Sequence, residues 1–194
     1  MKISINKSVL ENILIHLQAF LEKKDTSLIT SHIFIQTQAN SLEFRATDQE
    51  IGLTVNTEFA TILEPGSVTA NGKKLLDIIK ILKDEEITLE LVNEMLHIKQ
   101  QHSKFKLPTF DANEYPTFVS LETRAKIELD SMRLIRSLKK ITPAIDNNNP
   151  KYELNGALLD IKSEQINIVS TDTRRLAIVN IEHHSEVELD LIIP

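Results

Sequence analysis

The residues best placed to do chemistry are Thr171-Asp172-Thr173-Arg174-Arg175-Leu176, where one acid stands beside two arginines. An acid next to paired guanidinium groups is a pattern that could handle a phosphorylated substrate. A second cluster, His183-His184 flanked by Glu182 and Glu186, has the residue types of a metal site. Adjacent residues on a strand point to opposite faces, however, so this spacing does not converge on an ion. The chain has four glycines and no Gly-rich phosphate loop, and no cysteine for a disulfide or a thiolate zinc site. No Ser/His/Asp arrangement is identifiable, so the sequence implies neither catalysis, nor a metal, nor a cofactor.

Thr171-Asp172 also has a purely structural reading, as a turn whose side chains cap their own backbone before a strand. The pair recurs as Thr47-Asp48, where no arginines follow. A feature kept in both places reads as scaffold, and any function is then carried by Thr173-Arg174-Arg175, which differ.

The elements that must position these residues follow from apolar periodicity. A strand is expected over Met1–Ile5, then a helix from Lys7 to Lys24 with a capping box at Ser8–Glu11 and a stripe of Leu10, Ile13, Leu14, Leu17 and Leu21. Asn6-Lys7-Ser8 matches a glycosylation acceptor, but a helix cap explains it better. Strands are expected at Ile33–Ile35, Leu42–Phe44 and Ile51–Val55, and a turn at Glu64-Pro65-Gly66. A second helix over Gly72–Asp84 carries the stripe Leu75, Ile78, Ile79, Leu82. Strands at Ile87–Leu91, Met95–Lys99 and Lys104–Leu107 precede a proline-flanked connector over Asp111–Glu122, and a third helix is expected over residues 131–142.

The pattern then starts again. With an ungapped shift of 124 residues, Met1–Ala70 falls on Ala125–Pro194. Leu10, Leu14, Leu17 and Leu21 meet Leu134, Leu138, Ile141 and Ile145; Phe34-Ile35 meets Leu158-Leu159; Thr47-Asp48 meets Thr171-Asp172. Ten of seventy positions are identical, too few to carry the duplication, so the unbroken apolar register carries it. The expected fold is α+β, made of duplicated βαβββ-type units with helices on one side and antiparallel sheets on the other. Residues 1–124 form a complete first domain and 125–194 a second that stops where Pro194 meets Ala70, just before the repeat's second helix. A chain cut short, with a third domain absent, is the expectation.

The net charge of −6 argues against a simple basic DNA-binding module. The charge is unevenly placed: the three expected helices sum to +7 and the rest of the chain to −13. Arg133, Arg136, Lys139 and Lys140 share a helix with no acid. A protein that turns helices to DNA and sheets to solvent has this pattern, since phosphate attraction follows the local patch. Exposed helix faces commonly carry lysines for solubility alone, and that plainer reading stays open. No apolar run approaches a membrane span and no signal peptide is evident, so a cytoplasmic location is expected.

Met1-Lys2-Ile3-Ser4-Ile5, Ala46-Thr47-Asp48, Gly72-Lys73-Lys74-Leu75, Phe105-Lys106-Leu107-Pro108 through Tyr115-Pro116, Tyr152–Gly156 and Thr171–Leu176 together resemble the N-terminal half of the β sliding clamp of bacterial DNA polymerase III. The resemblance runs over the whole chain. It implies a DNA-clamp fold with three similar domains per subunit, two subunits closing head-to-tail into a ring, helices lining the channel and sheets outside. Its implied function is that of a polymerase processivity factor that encircles duplex DNA without reading sequence.

Clients of the family (polymerase III subunits, the clamp loader and other peptide-bearing proteins) insert a peptide into a cleft. Its positions map here onto Leu154, Thr171, Thr173, Arg174, Arg175 and Leu176. DNA contacts map onto Lys24, Asn148 and Tyr152, with Lys73, Lys80, Arg133, Arg136 and Lys140 as inner-helix candidates by charge and position. Lys24 stands where arginine is common, and Glu153 where a second aromatic is common. The contact with a second clamp subunit maps onto Lys74, Lys104, Phe105 and Leu107, with Phe105 as anchor. Two other readings stand beside this one: a stand-alone protein–protein interaction module related to the clamp that does not encircle DNA, and an enzyme using Asp172 with the arginine pair.

Overall fold

A computed structural model of the chain describes residues 1–22, 25, 28–117, 127–147 and 149–193. The chain forms two compact units, Met1–Val119 and Ser120–Pro194.

The first unit opens with β1 (Lys2–Asn6) and α1 (Lys7–Leu17). Asn6, not the expected Ser8–Glu11 box, caps the helix: its side chain accepts from the Ser8 amide at 2.9 Å and from the Ser8 hydroxyl at 2.7 Å. Glu11 instead pairs with Lys7 one turn away. The helix also ends earlier than its apolar stripe, passing into a 3-10 turn at Gln18–Phe20, with Leu21 already extended. The reason is tertiary. Leu21 swings onto Gly72, whose missing Cβ would lie 2.3 Å from Leu21 Cδ1.

The next elements are β2 (His32–Thr37), β3 (Leu42–Thr47), β4 (Gly52–Thr57), β5 (Ala60–Glu64), β6 (Ser67–Asn71), α2 (Gly72–Ile81), β7 (Glu86–Val92), β8 (Met95–Gln100) and β9 (Ser103–Pro108). Strands β5 and β6 are additions to the expected set, and the turn between them holds Gly66 at φ +147. Two antiparallel sheets result, ordered β5-β1-β7-β8-β9 and β4-β3-β2-β6. Both helices bury their stripes between them. Leu10, Leu14 and Leu17 of α1 and Leu75, Leu76 and Ile79 of α2 join Ile3, Ile5, Leu89 and Ile98 of the first sheet and Ile33, Ile35 and Phe44 of the second. Each such side chain contributes about 1.5–3 kcal/mol on burial.

The outer face of the second sheet is covered by the segment after β9. Thr69 Oγ1 both accepts from the Phe110 amide (2.8 Å) and donates to the Phe110 carbonyl (3.0 Å). Tyr115 stacks on Phe34 with ring centroids 5.3 Å apart and donates its hydroxyl to the carbonyls of His32 (3.0 Å) and Arg45 (3.3 Å). Burial pushes the Tyr115 phenol up to about 12.

The second unit has α3 (Ser131–Ile141), capped by Asp130, over one antiparallel sheet of β10 (Ala157–Ile161), β11 (Gln165–Thr171), β12 (Leu176–Glu182) and β13 (Leu189–Ile193), ordered β12-β11-β10-β13. Ile141, Leu159, Ile161, Ile166, Ile168 and Ile181 form its core, with Leu134 and Leu138 packed on it.

The 124-residue shift survives as strand register. Ile35 opposite Phe44 becomes Leu159 opposite Ile168, and Thr47 opposite Gly52 becomes Thr171 opposite Leu176. It slips by one at the fourth strand: Ile33 faces Ala70, but Ala157 faces Ile193, so Ile193 and not Pro194 takes the place of Ala70. The stretch before β13 that corresponds to β5 is irregular, held by His183 and Ser185 amides donating to the Glu164 and Ser163 carbonyls, and the span is one residue shorter than in the first unit. Of the segment that aligns with β1, the described residues Ile127–Asp130 are not in a strand. No described helix is long and apolar enough to cross a membrane.

Candidate nucleic-acid and peptide interface

The Thr171–Leu176 turn is a backbone device, and it is built twice. In the second unit Thr171 Oγ1 donates to the Arg175 carbonyl and accepts from the Thr173 amide, while Asp172 Oδ1 accepts from the Arg174 and Arg175 amides at 3.0 and 2.9 Å. In the first unit Thr47 bonds Ile51 and Gln49 in the same way, and Asp48 accepts from Glu50 and Ile51. Gln49 and Thr173 both hold a left-handed backbone, at φ 79 and 73.

The second copy adds one contact, Arg175 Nε donating to Asp172 Oδ2 at 2.8 Å. Arg175 and the two amides hold the Asp172 carboxyl down at about 2. With its oxygens committed to the turn, Asp172 is not a free base, and the phosphate-enzyme reading loses its central group.

The turn gathers five of the six expected cleft residues: Thr171, Thr173, Arg174, Arg175 and Leu176. Arg174 is exposed, and Leu176, opposite Thr171 in the ladder, is 62% exposed although it is a leucine. Leu154 sits elsewhere, in a 3-10 turn over Tyr152–Leu154, with its side chain buried. That loop is stapled by Asn155, whose Oδ1 accepts from the Asn149 amide (3.1 Å) and whose Nδ2 donates to the Asn149 carbonyl (3.0 Å). The staple leaves Tyr152 68% exposed. Lys24 and Asn148, expected at DNA, lie outside the described residues.

Described α1 carries Lys7 and Glu11 and is neutral, so the positive excess rests on α2 and α3. On α2, Lys73 and Lys80 are exposed opposite the buried Leu75, Leu76 and Ile79. On α3, Arg133, Arg136, Lys139 and Lys140 are exposed, with Ser137 and Ile141 buried behind them. Among the described residues none of these α3 cations is in an ion pair. Arg133, Arg136 and Lys140 border a groove of about 320 Å³ with Asn180 and Glu182 of β12. Sequence reasoning missed Asn180 and Glu182, because only the packing of β12 beside α3 brings them there.

The residues expected at a subunit contact lie on α2 and on β9, an edge strand of the first sheet. Lys74 and Lys104 are exposed. Phe105 and Leu107 pair with Ile98 and Leu96 and pack on the unit's own core, Leu107 buried and Phe105 partly so. What β9 offers a partner is its unpaired backbone edge and its lysines.

The two units thus share a sheet-and-helix scaffold with cationic outer faces on α2 and α3, and the second adds an exposed apolar-and-arginine turn. Comparison with known proteins makes the assignment. The chain belongs to the DNA polymerase III beta subunit family, matching the family's N-terminal domain over residues 1–119 and its central domain over residues 128–194. It is 42% identical over 200 aligned residues to the beta sliding clamp of Helicobacter pylori, covering 100% of this chain and 54% of that protein. It is 31% identical to the beta sliding clamp of Caulobacter vibrioides, covering 92% of this chain and 50% of that one.

Among solved structures, the Helicobacter pylori beta clamp bound to a DNA ligase peptide superposes with a TM-score of 0.87 at 43% identity, over 100% of this chain and 56% of that one. The DNA polymerase III subunit beta of Pseudomonas aeruginosa superposes with a TM-score of 0.91 at 25% identity, over 100% of this chain and 54% of that one. The chain therefore spans about half the length of the relatives it matches.

Proposed function

We propose that this chain supplies the first part of a processivity ring that encloses duplex DNA and tethers the replicative polymerase. The observation that carries the reading is the pairing of family membership over both units with helices α2 and α3, whose outward faces are cationic while their inward faces are packed on sheets. Lys73, Lys80, Arg133, Arg136 and Lys140 meet phosphates through long-range attraction, with Lys24, Asn148 and Tyr152 as further DNA-contact candidates. A ring needs no tight contact to stay on DNA, so weak, sequence-independent attraction suffices. Its role is to raise the effective concentration of a tethered polymerase, not to catalyse a reaction. This activity belongs in the cytoplasm with the chromosome.

Client peptides of polymerase III subunits, the clamp loader and other partners dock on the exposed turn. Leu176 and Leu154 supply apolar surface, and Arg174, Arg175, Thr171 and Thr173 supply orientation. The Helicobacter pylori relative, solved with a DNA ligase peptide, supports a peptide as the ligand class. A second subunit meets the first unit at Lys74 and the β9 edge around Lys104, Phe105 and Leu107.

The test is primer extension with the protein at its relatives' full length. Arg133→Gln/Arg136→Gln shortens products and flattens the salt dependence of DNA association by about one log–log unit per lost contact. Lys162→Gln, on the outer sheet face, leaves both unchanged. Leu176→Ala weakens binding of a polymerase-derived peptide by about tenfold or more while DNA association persists. Undiminished processivity in the α3 variant sinks the ring reading and favours a protein–protein module that encloses nothing.

A further inference from the structure

The two units treat the outer faces of their corresponding sheets differently. Across the first unit's second sheet one outward row runs Thr69–Phe34–Arg45–Thr54. By the same pairings the row in the second unit is Ile192–Leu158–Val169–Ile178, apolar from edge to edge. In the first unit the row is roofed by the unit's own chain: Thr69 is 0% exposed under Phe110, and Phe34 is 5% exposed beneath Tyr115. Thr54, at the far end, is exposed. In the second unit Ile192 is 43% and Ile178 53% exposed. The neighbouring row, Asp190–Asp160–Asn167–Asn180, is polar and internally bonded, with Asn167 donating to Asp160 at 2.9 Å and Asn180 to Asn167 at 2.6 Å. The apolar surface is therefore a stripe one side chain wide, bounded on one side by polar groups. That shape suits a single extended segment and not a broad interface.

We infer that the Ile192–Leu158–Val169 row is the seat of an aromatic-bearing extended segment of the same chain, about 124 residues beyond Phe110–Tyr115, that roofs the second repeat as Phe110–Tyr115 roofs the first. The relatives are roughly twice the length of this chain, which places residues of that spacing within such a protein. The inference rests on the reading of the chain as part of a longer repeat protein. It assigns the row to an internal connector and so withholds it from client peptides, which keep the Leu176 turn.

The chain has no cysteine, so single-thiol probes report each position separately. Ile192→Cys, with Leu158→Cys as a second probe, is compared with Asn180→Cys at the end of the polar row. In the 194-residue chain Ile192→Cys reacts with a maleimide at the rate of an accessible thiol. In the protein at its relatives' length that rate drops at least tenfold, and so does that of Leu158→Cys, while Asn180→Cys keeps its rate. A form ending just past the second repeat's equivalent of Tyr115 retains the protection, and one ending before the equivalent of Phe110 loses it. Equal reactivity in short and long forms overturns the inference. Protection of Asn180→Cys as well replaces a roofing segment with a broad contact, and protection that grows with concentration of the 194-residue chain replaces it with a second copy. Processivity is read separately: it can fail with protection intact, or persist with protection absent, so the two proposals fall independently.

Discussion

His32 and Gly156 occupy the same place, each just where the first strand of the four-stranded sheet begins in its unit, and their chemistry could hardly differ more. His32 is 5% exposed, its Nδ1 3.3 Å from Thr69 Oγ1 and its ring 4.5 Å from that of Phe110. Gly156 has no side chain because the strand beside it leaves no room: a Cβ there would stand 2.2 Å from the Ile193 carbonyl oxygen. The Thr-Asp turns, also equivalent, share their side-chain-to-backbone hydrogen bonds, the second adding only the Arg175–Asp172 pair. The repeat thus preserves what a strand-to-strand turn needs locally. It lets diverge what packs at the start of that strand: a side chain under Phe110 in the first unit, direct approach of the β13 backbone in the second.

The sharpest way to break this comparison is to fill the gap at Gly156. Gly156→Val puts carbon against backbone that cannot move without releasing β13, and a loss of about 3 kcal/mol or more is expected for the second unit. Gly72→Ala meets only the movable ends of Leu21 and Ile33 and costs about 1–2 kcal/mol in the first. Hydrogen exchange resolved by strand separates the two, and equal effects would show that the second unit is not closed through this contact.

Acid probes the first unit. Burial, reinforced by the charge of Lys74, pulls the His32 imidazole down to about 4, so the folded state holds it neutral. The unfolded chain takes up a proton near pH 6.5, and stability present above that value erodes as pH falls toward 4, by about 2 kcal/mol at pH 5. Urea midpoints for the first unit follow this slope, and His32→Gln flattens it. A slope that survives the substitution assigns the acid sensitivity elsewhere.

Tyr115→Phe removes the hydroxyl that joins the roof to the His32 and Arg45 carbonyls. A cost of about 1 kcal/mol is expected, read as faster amide exchange at Phe110 with little change at α3. The smallest effect is expected for Asp172→Asn, because the turn is exposed. The Asp172 carboxyl, held low by Arg175 and two amides, contributes stability that is full above about pH 4 and fades as pH falls toward 2. The variant therefore separates from the parent at neutral pH and converges with it in acid. A constant difference at all pH values would mean that shape, not charge, holds the turn.

Much of this molecule was readable before its structure because the forces involved act over a few residues. The stripes Leu10–Leu17 and Leu75–Ile79 announced helices, the alternation along Leu42–Phe44 announced a strand, and Thr-Asp announced a self-bonded turn whose partners lie within four residues. The same short range made the 124-residue repeat legible at ten identities in seventy, since apolar spacing is all that a buried face requires. The cationic run on α3 needed only helical geometry.

Partners distant in the chain decided the rest. Leu21 leaves the helix for Gly72, 51 residues on, and nothing near Leu21 signals it. Strands β5 and β6 exist because β1 and β2 offer them edges. Phe105 and Leu107 turn inward because β8 sets their register, and β13 can run close beside Gly156 because no Cβ stands in its way. Propensity and periodicity describe what a segment can do alone, whereas the choice among those options is made by surfaces that meet only when the chain has folded.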